Sequence, residues 1–181
     1  MEKKKILAVV GSLRKDSYNR QMAKLVGEII GDRAEFGILD YHDIPLFSED
    51  LENPVPDSVA RVRAEFEAAD AIWFFNPEYN HFFSGVLKNL LDWMSRTVPG
   101  KAPLLSGKFA AVTGVTPGMY GTVGSQNHLI TLLNILNMRV MNSPRLAIPS
   151  IKNEVEDGVL TLAKSRTRLE KQVEAYLSFI S

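Results

Sequence analysis

Residues 9–20 read Val9-Val10-Gly11-Ser12-Leu13-Arg14-Lys15-Asp16-Ser17-Tyr18-Asn19-Arg20, a stretch that gathers hydroxyls, a carboxamide and a guanidinium just after a glycine. These are groups that hold an anion. Ser12, Ser17 and Asn19 can each donate a hydrogen bond, and Arg14 adds a charge-assisted fork suited to phosphate oxygens. The apolar run 6–10 before the loop has the length of a buried strand, and the amphipathic stretch after Asn19 has helical spacing. The loop thus joins a strand's carboxyl end to a helix's amino end, where unpaired amides and the positive end of the helix dipole attract negative charge. A phosphate alone does not specify a ligand.

A second loop, Asn76-Pro77-Glu78-Tyr79-Asn80-His81-Phe82-Phe83-Ser84-Gly85, mixes carboxamides and a carboxylate with aromatic rings. That mixture suits a planar heteroaromatic ligand: flat groups lie against its faces while backbone amides and Asn80 reach its polar edge. Ser84 is read as the amino cap of the following helix. The adjacent Phe82 and Phe83 are expected to be covered by a ligand or a second subunit. A third loop, Gly114-Val115-Thr116-Pro117-Gly118-Met119-Tyr120-Gly121-Thr122-Val123-Gly124, is rich in glycine, which serves either plain turns or a close approach of backbone to a ligand; composition supports both. His42, His81 and His128 lack metal-ligand spacing, so no metal site is expected. Lys88, Asp92 and Trp93 are read as solvated or interface positions on the helix 85–96.

The elements that position these loops follow from periodicity. Short apolar runs at 6–10, 35–39, 71–75 and 109–113, with a weaker fifth at 145–148, alternate with helical patterns, which argues for an α/β fold with a mostly parallel sheet. Val59, Val62 and Phe66 share one helical face, Val86, Leu87, Leu90, Leu91 and Met94 another, and Leu129, Leu132, Leu133 and Leu136 a third. Leu162, Leu169, Val173, Tyr176, Leu177 and Ile180 give a last amphipathic helix behind the turn Asp157-Gly158. In such a sheet the ligand belongs at the carboxyl ends of the strands, beside the point where strand order reverses. All three loops lie there.

Composition narrows the function. At 181 residues with 45% hydrophobic content, the chain is expected to form one domain, 1–181. Lys+Arg and Asp+Glu are both 21, so no global basic field favours nucleic acid or a membrane surface, and neither is expected as a partner. With no cysteine, thiolate catalysis and cysteine-ligated clusters are excluded, and redox chemistry needs a bound cofactor. The first residues carry no apolar signal region and no stretch is long enough to span a bilayer, so the cytoplasm is the expected compartment.

Gly11-Ser12-Leu13-Arg14-x-x-Ser17-x-Asn19 and Pro77-Glu78-Tyr79-Asn80, followed by Gly85-Val86-Leu87-Lys88-Asn89-x-x-Asp92-Trp93-x-x-Arg96, closely resemble the NAD(P)H-dependent FMN reductase family, which includes quinone, chromate and azo-dye reductases. The resemblance runs nearly end to end. It implies a flavodoxin-like three-layer sandwich with a five-stranded parallel sheet of order 2-1-3-4-5. It also implies that Ser12, Arg14, Ser17 and Asn19, with Arg20 beside them, hold the FMN phosphate. Pro77, Glu78, Tyr79 and Asn80 would line the isoalloxazine ring, and the loop holding Thr116, Gly118 and Gly121 would border its other edge. The implied activity passes hydride from NADPH or NADH through bound FMN to a small-molecule electron acceptor such as a quinone or free flavin, the cofactor carrying the chemistry. A flavodoxin-type electron carrier without a nicotinamide site is the alternative; such carriers are strongly acidic with Thr-rich phosphate loops, whereas this chain is neutral and has Arg14. The resemblance implies a homodimer through the helix 85–96. Tetramer-forming relatives carry Gly-Gly-x-Arg in the third loop and a glutamate where this chain has Arg145; here Gly121-Thr122-Val123-Gly124 stands instead, so the same charge pairs cannot form.

Overall fold

The computed structural model describes residues 3–181. Strands β1 (Lys5–Val10), β2 (Glu35–Ile38), β3 (Ala71–Phe75), β4 (Phe109–Val115), β5 (Arg139–Val140) and β6 (Leu146–Ile148) form one parallel sheet in the order β2-β1-β3-β4-β5, with β6 also on β4. This is the flavodoxin-like order, with the reversal between β1 and β3. Helices α1 (Tyr18–Ile30), α2 (Asp57–Ala68), α3 (Gly85–Ser95), α4 (Val123–Ile135) and α5 (Arg166–Phe179) cover its faces.

The two-residue period of a strand divides the core in two. Ile6, Ala8 and Val10 of β1, with Trp73 and Phe75 of β3, pack against Met22 and Val26 of α1 and Val173 and Tyr176 of α5. Leu7, Val9, Ile72 and Phe74 face the other way, onto Val62 and Phe66 of α2, Leu87 and Leu90 of α3, and Leu129 and Leu133 of α4. Every residue of β3 is buried, which is why it reads as a continuous apolar run rather than an alternating one.

Two expectations need adjusting. The single strand expected at 145–148 is one of two that share the edge beside β4. β5 pairs with Phe109 and Ala110, β6 with Thr113, Gly114 and Val115, and Pro144, which has no N–H for a ladder, lies in the gap. The last helix starts later than its apolar pattern. Leu162 is buried but has a φ of 54°, a left-handed conformation no helix continues through, and it follows the hairpin of β7 (Val155–Glu156) and β8 (Val159–Leu160).

Candidate functional site

The first loop leaves β1 at the sheet's carboxyl edge, where the Gly11 N–H donates to Phe75 O at 2.8 Å. A Cβ on Gly11 would stand 3.0 Å from Asn76 Oδ1, Pro77 Cδ and Ser84 Oγ, so a side chain there would press on the second loop that glycine lets come close. Ser17 is the amino cap of α1 in extended backbone, yet its hydroxyl makes no capping bond. The first helix N–H with a partner is that of Gln21, donating to Ser17 O at 3.0 Å; those of Tyr18, Asn19 and Arg20 have none among the described residues. Ser12 and Ser17 are buried beside them. Arg14 lies over the Tyr18 ring, 5.5 Å from its centroid, with no carboxylate within 4.0 Å among the described residues. Unpaired donors and a free cation thus converge on one spot.

Asn19 takes a different part from the one its motif implies. Its Nδ2 donates to Val115 O at 3.0 Å and its Oδ1 accepts from Val115 N at 3.1 Å, both buried. The carboxamide acts like a strand neighbour to the last residue of β4, and it pins the start of α1 there. What Asn19 still offers an anion is its backbone N–H and the second hydrogen of Nδ2. Arg20 also points elsewhere: it lies outside the cavity that the cradle opens into, near Tyr41. The Tyr41 hydroxyl donates to Val10 O at 2.6 Å, and burial pushes its pKa well above the usual range, with the Arg20 charge acting in the opposite direction.

In the second loop Asn80 and His81 have φ of 51° and 61°, while Tyr79 and Phe82 exchange backbone hydrogen bonds of 3.0 and 2.9 Å. Two left-handed residues between paired neighbours make a primed hairpin turn, a conformation asparagine tolerates better than most. The Glu78 side chain turns toward α4, where Oε2 accepts from Ser125 N at 2.9 Å and Oε1 lies 3.5 Å from His81 Nδ1. A carboxylate at this helix start meets the dipole's positive end and supplies the capping acceptor that Thr122 does not. Ser84 caps α3, accepting from Leu87 N at 3.4 Å. Phe83 is buried, and Phe82, 44% exposed, lies tilted against the His128 ring with centroids 4.4 Å apart.

Trp93 overturns its solvated reading. It is 1% exposed, and its Nε1 donates to Pro45 O at 2.9 Å, an oxygen that also accepts from Asn89 Nδ2 at 2.9 Å. Asn89 Oδ1 in turn accepts from Phe47 N at 2.8 Å. Asn89 and Trp93, one helical turn apart, therefore fasten the loop after β2 to α3.

In the third loop, Thr116 is held by its N–H to Ile148 O at 3.1 Å, and its hydroxyl accepts from Gly118 N at 3.2 Å. Gly121 has a φ of 68° and serves the turn into α4. Gly114 is the position of close approach, because a Cβ there would collide with Asn76 O and Thr122 Oγ1.

Two cavities result. One of about 330 Å³ is lined by Ser12, Arg14, Ser17, Asn19, Pro77, Glu78, Tyr79 and Thr116 of the expected set, together with Tyr18, Val115, Pro117 and Lys152. Asn80, Gly118 and Gly121 lie outside its lining. The other, of about 540 Å³, lies across Ser12, Arg14 and Tyr79, with Leu13, Tyr41, His42, Ile44, Leu46 and Val86 making a largely apolar wall. At its rim His42 Nδ1 is 2.7 Å from Asp40 Oδ1; that bond raises the imidazole pKa and lowers the carboxyl's. Sequence reasoning missed this wall, because the residues after β2 have neither motif nor periodicity. It also missed Asn76, fully buried at the strand-order reversal with neither Oδ1 nor Nδ2 partnered.

The fold has counterparts in known proteins. The profile of the family described as NADPH-dependent FMN reductase matches residues 4–153. An NAD(P)H-dependent FMN reductase of Pseudomonas aeruginosa is 37% identical over 173 residues, covering 94% of this chain and 92% of its own. A quinone reductase of Pseudomonas putida is 35% identical over 176 residues, covering 97% and 94%. Among solved structures, FerB, a flavoenzyme NAD(P)H:(acceptor) oxidoreductase from Paracoccus denitrificans, superposes with a TM-score of 0.87 at 34% identity, covering 98% of this chain and 97% of that one. The chain belongs to the NADPH-dependent FMN reductase family of NAD(P)H-dependent flavin oxidoreductases.

Proposed function

We propose that the 330 Å³ cavity seats FMN, with the phosphate on Ser12, Arg14 and Ser17 and on the backbone N–H groups of Tyr18, Asn19 and Arg20. The ring lies along Pro77, Glu78 and Tyr79, with Thr116 on its other edge; Asn80 and the turn through Gly118 and Gly121 stand beyond the lining. One observation carries this reading: the anion cradle and the ring-facing residues Pro77, Glu78, Tyr79 and Thr116 line the same cavity. The fit is chemical as well as spatial. Ser17 Oγ, three helix N–H groups and Arg14 lack partners of their own, and a phosphate supplies acceptor oxygens for all of them.

When bound, FMN supplies hydride acceptance from NADPH or NADH and donation to a small-molecule acceptor, a quinone or free flavin. The protein's work is binding and orientation. Gly11 and Gly114 let three loops approach, Glu78 holds the second loop against α4, and Asn19 sets α1 against β4. The 540 Å³ cavity next to the cradle leaves apolar space for a second planar reactant, which an electron carrier does not need. Beside the helix 85–96 expected at a homodimer contact, Met119 (79% exposed), Tyr120 (77%), Val123 (51%) and Phe82 are exposed apolar side chains of the second and third loops that a second subunit would cover. No helix is long and apolar enough to cross a membrane among the described residues; the cytoplasm is the compartment we assign.

The test is spectroscopic and kinetic. Purified protein, or protein incubated with FMN, shows flavin absorbance and oxidises NADPH or NADH with a quinone in steady state. Replacing Arg14 with Ala weakens FMN binding by removing a charge-assisted contact of about 1.5–3 kcal/mol. Absence of flavin uptake overturns the cofactor site, and flavin uptake without turnover points to the carrier.

A further inference from the structure

Lys152 lies outside both sequence motifs, yet it lines the same cavity as Ser12, Arg14 and Ser17. It sits on a short helical turn, Ile151–Glu154, whose placement is fixed from three sides. Ser150 N donates to Gly118 O at 2.9 Å, Ile151 N donates to Thr116 O at 3.0 Å, and the Ile151 side chain is fully buried in the core. The turn is thereby joined to the third loop, which sets Lys152 in the lining of the cavity. The nearest acid on the turn, Glu154, is occupied elsewhere: it is buried and accepts from Ser165 Oγ at 2.6 Å, Ser165 N at 2.9 Å and Lys164 N at 3.2 Å. Lys152 has no carboxylate within 4.0 Å among the described residues. Two cations without acidic partners therefore share one cavity with the hydroxyl of Ser17, which is 97% buried and makes no capping bond.

A phosphomonoester carries a charge of about −1.5 to −2 at neutral pH. Arg14 alone balances one unit of it. We propose that Lys152 is the second cation of the cradle and a specificity-determining residue, matching the dianionic phosphomonoester of FMN and discriminating against phosphate-free flavin. The proposal rests on the FMN reading of this cavity. Lysine suits the part, as a point charge on a flexible stem that can settle on a phosphate already oriented by the Arg14 fork and the helix N–H groups.

The experiment titrates flavin-free full-length protein with FMN and with riboflavin, following quenching of flavin fluorescence, for wild type, Lys152→Gln and Lys152→Arg. The expected result is a loss of about tenfold in FMN affinity for Lys152→Gln, with riboflavin affinity unchanged and FMN affinity largely restored in Lys152→Arg. Equal losses for the two flavins would make Lys152 a structural residue and overturn the proposal. Unchanged FMN affinity in Lys152→Gln, alongside a wild type that binds FMN, overturns it too while leaving the cofactor site standing. A wild type that binds neither flavin overturns both.

Discussion

Replacing Asn19 with Ala separates two roles that the motif alone confounds, ligand contact and backbone clamp. Asn19 and Val115 are 4% and 2% exposed, and the lost carboxamide made both hydrogen bonds to the Val115 backbone. Truncation leaves a buried N–H and a buried C=O facing a gap, each at a cost of about 1–2 kcal/mol, so the expected destabilisation is roughly 2–4 kcal/mol. For a chain of this length that corresponds to a Tm drop of roughly 5–15 °C, read by calorimetry on flavin-free protein. Asn19→Asp sharpens the test. Its carboxylate can still accept from Val115 N but cannot donate to Val115 O, so burial and the facing carbonyl raise the folded-state pKa of the introduced carboxyl above its unfolded value. A raised pKa contributes stability at low pH that is lost as pH rises through it; the variant's deficit against wild type should be smallest in acid and grow toward neutrality. If Asn19→Ala melts within about 1 °C of wild type while FMN affinity falls, the carboxamide serves the ligand and the clamp argument is wrong.

Three further outcomes follow from the same contacts. Glu78→Gln keeps an acceptor for Ser125 N but removes the charge at the start of α4, costing about 0.3–1 kcal/mol in urea unfolding, a loss that shrinks with added salt; a salt-independent loss would rule out the dipole contribution. Trp93→Phe deletes the indole donor to Pro45 O and should lower stability by about 1–2 kcal/mol while speeding amide exchange at Phe47; unchanged exchange there would show that Asn89 holds the loop alone. In an NMR titration His42 should lose its proton at a higher pH than an ordinary imidazole, because Asp40 stabilises the charged ring, and Asp40→Asn should abolish the elevation.

The fold was legible because its strands are buried on both faces, so β1, β3 and β4 stand out as unbroken apolar runs with glycine and proline at their joints. The edge was less so: β6 showed only as the weak apolar run at 145–148, and the two residues of β5 are too short to give a period, so only their pairing with β4 reveals them. In the candidate site, residue types pointed to loops that the fold brings together, while the surroundings of several side chains depended on distant partners. Asn19 reads only as a phosphate donor, and its clamp on Val115, 96 residues on, is invisible in the motif. Trp93 reads as a surface residue until Pro45, 48 residues back, meets its indole N–H. Glu78 belongs to a flavin-facing motif by position, yet its charge answers a helix that begins at Val123. Lys152 follows a strand of three residues with no surrounding pattern, and nothing local marks it.

The double acceptance at Pro45 O bears on how the larger cavity admits reactants. Ile44 and Leu46, on either side of that carbonyl, belong to the cavity wall, and the same carbonyl is bonded to two side chains of α3. α3 in turn buries Leu87, Leu90 and Leu91 in the sheet's core. The wall therefore behaves as a fixed jamb rather than a hinged door: swinging it outward would break two hydrogen bonds at Pro45 O or lift a helix from the core. A wall framed in this way keeps one width beside the cavity whether or not anything occupies it.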